Sequence, residues 1–387
     1  MLKVKLMNKI AKVGTDVLSA ARYQVGADVE DADAIMVRSA SLHDIQFPDT
    51  LRAIARCGAG VNNIPVDKCT EKGVVVFNTA GANANAVKEL AVAALVLSSR
   101  DVLGGVKWVE GLKGQTDIPK LVEGGKSAFV GHELAGKTLG VIGLGAIGGM
   151  VANAAISLGM SVLGYDPYIT AKAAWSLAPS VKQAADYAEI FRTCDYVTLH
   201  VPATPQTKNM ICEKTIATMK DGVRILNLAR ADLVNAADLK KGLESKKIAC
   251  YITDFPTDET VGVDGIIAIP HLGASTVESE DHCAIMAAQE LDEFLTCGNI
   301  KGSVNFPAVS IAQSEKPRVC IMNKNVPNML SQITAAFSAE HINIENLANG
   351  SKGEIAYTIV ETNVAATQDV IRKISAVNGV FGVRVFY

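Results

Sequence analysis

The chain is 387 residues long, 49% hydrophobic but only 5% aromatic, and carries 32 glycines. That profile predicts two or three α/β domains packed with Ala, Val, Ile and Leu. Its 37 Lys+Arg against 40 Asp+Glu leave a net charge of −3 with no basic tail or stripe, so charge offers no case for nucleic acid or a membrane surface as partner. The eight cysteines are scattered without a C-x-x-C pair or a His/Cys cluster, the pattern of reduced thiols in a cytoplasmic protein with no metal site.

At the N-terminus, Met1–Lys9 alternates charge with apolarity and reads as a first strand, without the continuous apolar core of a signal peptide. Ala34–Arg38, Ala53–Cys57 and Val74–Asn78 are further strand candidates, separated by helical patterns and by the turn-rich Cys57–Pro65. This first α/β unit has no dinucleotide fingerprint of its own. Asn85–Arg100 carries Ala, Val and Leu at helical spacing, a long buried helix, and residues 105–136 are polar and rich in Gly and Lys, as in a lid or an arm.

Lys137–Asp166 is the most informative stretch. An apolar run, Leu139–Ile142, leads into Gly143-x-Gly145-x-x-Gly148; a small-residue helix follows, and a second apolar run ends at Asp166. Gly143 permits a tight strand-to-helix turn, Gly145 lets the backbone approach a pyrophosphate, and Gly148 lets the helix pack on the strand. The pyrophosphate would rest on the first helical turn, at Ala146 and Ile147, where free N–H groups and the helix dipole favour an anion. Asp166 can accept hydrogen bonds from both hydroxyls of a ribose and would repel a 2′-phosphate, so the expected cofactor is NAD. No charged residue lies between Lys137 and Asp166, but the glycines exclude a membrane span, because a helix interior tolerates them poorly.

Later strands are expected at Tyr196–His200, Arg224–Asn227 and Ile248–Thr253, followed by a long amphipathic helix over 277–297 and a Gly/Pro-bearing linker over 301–317. The remainder reads strand, helix, strand, strand, helix, strand. That order is a split-βαβ, ferredoxin-like unit, short and separate, with no catalytic constellation.

An NAD-linked redox enzyme needs a group to hold its substrate and a base to take the hydroxyl proton. Of six histidines, His271 follows a strand, where a doubly wound sheet places it beside the ligand. Arg230 also follows a strand, and its fork matches a carboxylate. The acidic cluster Asp254-Phe-Pro-Thr-Asp258-Glu259 follows the next and could orient the imidazole.

These motifs resemble the D-isomer-specific 2-hydroxyacid dehydrogenases: the fingerprint, His200-Val201-Pro202, Asn227-Leu-Ala229-Arg230 and Pro270-His271. Val37-Arg38-Ser39, Arg56-Cys-Gly58-Ala-Gly60-Val61, Gly81–Glu89 and His271-Leu-Gly273-Ala-Ser-Thr276 are similar to its phosphoglycerate dehydrogenase branch, and the last unit resembles an ACT domain. The resemblance implies two doubly wound parallel-sheet domains: a flavodoxin-like substrate domain (1–84 and 278–305) and a Rossmann NAD domain (85–277). An ACT-like regulatory domain (317–387) would follow. It implies His271 as general base and Arg230 on the substrate carboxylate, with Arg38, Arg56, Gly58, Gly60, Asn83 and Asn85 lining the substrate side. Thr207, Ala229, Asp254 and Gly273 join the cofactor side. The family's Asp-Val-Phe-x-x-Glu is altered here: anchoring on Phe255 makes Asp258 the histidine's partner, and counting from Asp254 makes it Glu259. Asn323, Asn325 and Asn343 fall where the family senses L-serine, although the unit could serve only for dimerisation. A homodimer or larger homo-oligomer acting on 3-phosphoglycerate is expected. The alternatives are another 2-hydroxyacid dehydrogenase, such as a glyoxylate or hydroxypyruvate reductase, or a catalytically silent NAD-sensing corepressor.

Overall fold

Short apolar runs buried on both faces become the strands of two parallel sheets in a computed structural model that describes residues 1–386. Tyr387, the last residue of the segment expected as an ACT-like domain, lies outside them. Strands β1 (Leu2–Leu6), β2 (Tyr23–Gly26), β3 (Ala34–Val37), β4 (Ala53–Arg56) and β5 (Val75–Asn78) lie in the order β2-β1-β3-β4-β5, all parallel. A second sheet comprises β6 (Thr138–Ile142), β7 (Ser161–Tyr165), β8 (Lys182–Gln183), β9 (Tyr196–Leu199), β10 (Val223–Asn227), β11 (Ile248–Thr253) and β12 (Ile266–Ala268). It runs β12-β11-β10-β9-β6-β7-β8, also all parallel.

Both sheets reverse their strand order beside the first strand, β1 in one and β6 in the other. Open α/β sheets bind ligands in the crevice at such a reversal, outside the carboxyl ends of their strands. The chain forms two compact units, Met1–Asn83 with the chain from Val277 onward, and Ala84–Thr276. Residues expected as a polar arm are mostly helical, at Val102–Glu110 and Ile118–Gly125, with no buried residue in either helix.

The last segment contains β13 (Arg318–Lys324), β14 (Ile344–Lys352), β15 (Ile355–Thr362) and β16 (Val380–Phe386). They form an antiparallel sheet β14-β15-β13-β16, with helices Met329–Ser338 and Gln368–Ser375 in βαββαβ order. It does not stand separately as the sequence suggested. Val319 and Ile321 pack with Ile333, Phe337, Val370 and Ile374 of its own helices. Cys320, Met322, Tyr357 and Ile359 instead join a core with Val75, Phe77, Phe294 and Phe306. The cause is visible in Val319-Cys-Ile-Met322: side chains alternate across a strand, so an apolar run of both parities needs cover on both faces. Polar contacts fasten the same face. The Arg384 guanidinium donates to the carbonyls of Arg52 (3.1 Å) and Gly73 (2.7 Å), and the Tyr357 hydroxyl donates to the Gly298 carbonyl (2.6 Å). Asn328, just before the helix Met329–Ser338, adopts φ +70°, a left-handed conformation that asparagine tolerates.

At the root of this docking lies a buried ion pair. Arg318 and Glu361, 2% and 1% exposed, meet at 2.8 Å. Arg318 also donates to the carbonyls of Cys297 (3.0 Å), Ile311 and Ala312, while Ser314 and Asn346 donate to the Glu361 carboxylate at 2.6 Å each. Burial alone would push the Glu361 carboxyl up, but hydrogen bonds from Ser314, Asn346 and Arg318 hold it below its usual value. Removing one member of such a pair strands the other charge. Arg318→Met should therefore cost about 3–5 kcal/mol in urea denaturation.

Candidate active site

The glycine fingerprint folds as its chemistry requires. Gly143 turns the chain at φ +90°, and a Cβ there would lie 2.5 Å from the His200 carbonyl oxygen. A Cβ on Gly148 would meet the Gly143 carbonyl oxygen at 1.9 Å, so the helix Ala146–Ser157 and the turn touch backbone to backbone. Gly145 differs: a Cβ there would meet nothing within 4 Å. Its space is open at the N-terminus of that helix, where the free N–H groups of a first turn stabilise an anion. Asp166, just past β7, accepts hydrogen bonds from the N–H groups of Leu144 (2.9 Å) and Tyr168 (2.9 Å). The acid that would receive the ribose thus also ties the glycine turn to the neighbouring strand, a role the sequence did not suggest.

His200 shares a hydrogen bond with Thr198 (2.9 Å), and burial pushes its imidazole down to about 4, so it is neutral at pH 7. The loop Val201–Thr207 that follows is closed by Thr207, whose hydroxyl donates to the Pro202 carbonyl at 2.6 Å. These residues fit a dinucleotide: a backbone cradle for the pyrophosphate, a carboxylate for the ribose and a neutral loop beside them.

Arg230, Asp254 and His271 reach the same sheet edge from β10, β11 and β12. Buried Asn227 holds the first loop; its oxygen accepts from the N–H groups of Ala229 (3.2 Å) and Arg230 (3.3 Å), and its amide donates to the Arg230 carbonyl (2.8 Å). The Arg230 side chain is exposed, with Nη1 donating to the Ala229 carbonyl (2.6 Å). His271 sits at φ +53°, and its exposed ring lies 4.6 Å from that of Phe255. Asp254 is 1% exposed and accepts from the N–H groups of Leu272 (2.7 Å) and Gly273 (2.7 Å). Burial pushes its carboxyl up, against those two donors and the nearby His271. A Cβ on Gly273 would crowd this carboxylate at 2.8 Å.

Asp254 therefore buckles the histidine loop from beneath. Neither Asp258 nor Glu259 forms an ion pair with His271 among the described residues; both are exposed and line an open cleft of about 550 Å³ with Lys208, Asn209, Asp232 and Asn235.

In the other unit, Arg38 and Arg56 stand at the carboxyl ends of β3 and β4. The Asn8 side-chain oxygen accepts from three successive N–H groups, those of Arg38 (3.0 Å), Ser39 (3.1 Å) and Ala40 (3.0 Å), and so fixes the loop that carries Arg38. Arg38 pairs with Glu280 at 2.5 Å, a partner the sequence did not reveal. The Arg56 guanidinium lies over Gly58, in the loop that also holds Gly60. Asn85 donates to Glu89 (2.8 Å) across one helical turn, and Asn83 precedes that helix.

Asn323, Asn325 and Asn343 do not converge. Asn325 bonds to Gly353 and Glu354 before β15, and Asn343 bonds to Asn363 after it. Antiparallel pairing leaves them roughly 25 Å apart, the length of that strand at about 3.4 Å per residue. Asn323 is 2% exposed and donates to the Lys324 carbonyl at 2.7 Å.

Fold and site together define a dinucleotide-binding oxidoreductase scaffold. The sequence model of the D-isomer specific 2-hydroxyacid dehydrogenase NAD binding domain matches residues 108–273. A D-3-phosphoglycerate dehydrogenase 2 of Saccharomyces cerevisiae is 30% identical, covering 93% of this chain and 79% of the yeast protein. The chain belongs to the D-isomer-specific 2-hydroxyacid dehydrogenase family and carries its NAD-binding domain. A D-3-phosphoglycerate dehydrogenase of Methanocaldococcus jannaschii is 32% identical over 79% of this chain, which spans 58% of that relative's length. Among solved structures, an NAD+-bound 3-phosphoglycerate dehydrogenase of Entamoeba histolytica superposes with a TM-score of 0.61 at 27% identity, covering 79% of this chain and 98% of its own.

Two glycines with different surroundings separate folding from binding. Gly145→Ala should leave the melting temperature unchanged without NAD and abolish the rise that NAD causes; Gly148→Ala should destabilise the apo protein by about 1–3 kcal/mol. Differential scanning fluorimetry with and without NAD reads both. For His200, the folded value of about 4 lies below the 6.5 of a free imidazole. The unfolded chain therefore binds the proton first, and stability falls as pH drops from 6.5 towards 4. His200→Asn should lose less stability across that window, measured by denaturant titration at each pH.

Proposed function

We propose that the chain oxidises D-3-phosphoglycerate to 3-phosphohydroxypyruvate, opening serine synthesis. The observation that carries the reading is the placement of Arg230 and His271 on the sheet edge that also bears the NAD cradle, in a chain whose relatives carry that activity in their names. NAD, when bound, supplies the acceptor for the hydride leaving C2. Arg230 grips the substrate carboxylate in a two-pronged, charge-assisted contact and polarises the C2 oxygen. His271 takes the C2 hydroxyl proton, leaving a ketone and an imidazolium. Asp258 or Glu259 would reach that imidazolium only by moving, and Asp254 holds the loop meanwhile.

Arg38 and Arg56 are the cations for a substrate phosphate, which would have to replace Glu280 on Arg38. The C-terminal sheet fits a regulatory, ACT-like role. Because Asn325 and Asn343 lie at opposite ends of β15, an L-serine site would draw on two copies of the chain, in keeping with a homodimer.

His271→Ala should abolish NADH formation while NAD binding persists; undiminished turnover by this variant would overturn the assignment. Arg38→Ala should raise KM for 3-phosphoglycerate about 10- to 100-fold, the loss of one or two charge-assisted hydrogen bonds. KM for unphosphorylated hydroxypyruvate should hardly change, and an equal rise for both would argue for a reductase without phosphate recognition. NADH formation unaffected by millimolar L-serine would remove the regulatory part of the proposal.

A further inference from the structure

Arg230 and His271 arrive on loops from different strands, yet they meet on one ring. The His271 imidazole lies 4.6 Å from the Phe255 ring centroid at an interplanar angle of 50°. The Arg230 guanidinium sits over the same ring, 5.4 Å from its centroid. We propose that Phe255 is a positioning residue that sets the separation of the carboxylate-binding guanidinium and the proton-accepting imidazole, the place where the sequence expected a carboxylate to act. This rests on the dehydrogenase reading above.

The physics favours such a platform. An aromatic face attracts a guanidinium through its quadrupole, and tilted ring pairs at this spacing are favourable. Phe255 is itself held, half-buried, by a hydrogen bond from its N–H to the Thr253 hydroxyl at 3.1 Å. Its neighbour Asp254 grips the backbone of Leu272 and Gly273. Two consecutive residues after β11 thus hold the histidine loop, one by its backbone and the other by the imidazole. A misplacement of about 1 Å between reacting groups can cost on the order of 100-fold in rate, so a shared support gives an advantage that two independent loops lack. An ion pair between His271 and a carboxylate would orient the imidazole alone and leave Arg230 unconstrained.

The experiment removes the ring and restores it. Phe255→Leu should lower kcat/KM for the 2-hydroxyacid by about tenfold or more, raising KM (through Arg230) and lowering kcat (through His271) together. The dissociation constant for NAD should stay unchanged, because Phe255 follows β11, three strand positions from the β6 strand that leads into the fingerprint. Phe255→Tyr, which keeps the ring, should restore both parameters, whereas a merely structural position would accept leucine as readily. A readout free of turnover accompanies this. The His271 ring protons should carry an upfield ring-current displacement in proton NMR, lost in Phe255→Leu and retained in Phe255→Tyr. Should the leucine variant not fold, Phe255→Met takes its place.

Unchanged His271 resonances together with unchanged kcat and KM in the ring-less variant would overturn the proposal. If the wild-type chain oxidises no 2-hydroxyacid, the dehydrogenase reading fails by itself, and the NMR comparison still decides whether Phe255 holds His271.

Discussion

A parallel sheet delivers every strand's carboxyl end to the same edge, and the chemistry of the 84–276 unit depends on that constraint. The glycine turn after β6, Asp166 after β7, the neutral His200 after β9, Arg230 after β10, Asp254 after β11 and His271 beyond β12 are far apart in sequence. They come to one edge of the sheet because all its strands run in one direction. The edge supplies position; the loops supply precision. Those loops are short and held by buried polar groups, Asn227 under Arg230 and Asp254 under His271, each hydrogen-bonded to the backbone of the loop it holds. Buried groups of this kind are effective because any displacement leaves a desolvated donor or acceptor without its partner.

The other unit solves a different problem. Its five-stranded sheet presents Arg38 and Arg56 at the corresponding edge, and the three N–H groups gathered on Asn8 keep the Arg38 loop in one conformation. Its stability is shared with the C-terminal sheet, whose second apolar face is covered by Val75, Phe77, Phe294 and Phe306. The Arg318–Glu361 pair is costly to desolvate and contributes little net stability as a pair, but it ties residues 297–314 to two strands through a single satisfied network. A regulatory signal in that sheet would therefore act through a packed interface, not through a tethered bead.

Much of the scaffold was legible. Gly143, Gly145, Gly148 and Asp166 belong to one local supersecondary unit, where spacing and chemistry suffice, and each occupies the expected place. The helix over Val277–Cys297 and the βαββαβ order of the last segment were readable for the same reason, as periodicity reports local structure. The site was less so. The acidic cluster offered three carboxylates, and one-dimensional spacing could not say which points at the imidazole, because the chain turns sharply after β11. Phe255 passed as a motif anchor, since nothing in sequence shows that two rings and a guanidinium will coincide. Glu280 was a helix residue like its neighbours until folding set it against Arg38.

The sequence by itself determined the α/β class and the dinucleotide fingerprint with its acid, and it offered candidate residues for proton and carboxylate chemistry, since all of these depend on local geometry and intrinsic side-chain chemistry. Only the tertiary structure decided that Asp254 secures the histidine loop while Asp258 and Glu259 stand off, that Arg230 and His271 share Phe255, and that the last sheet is packed in place. Those are contacts between residues distant in the chain, and they follow from which surfaces must be buried together.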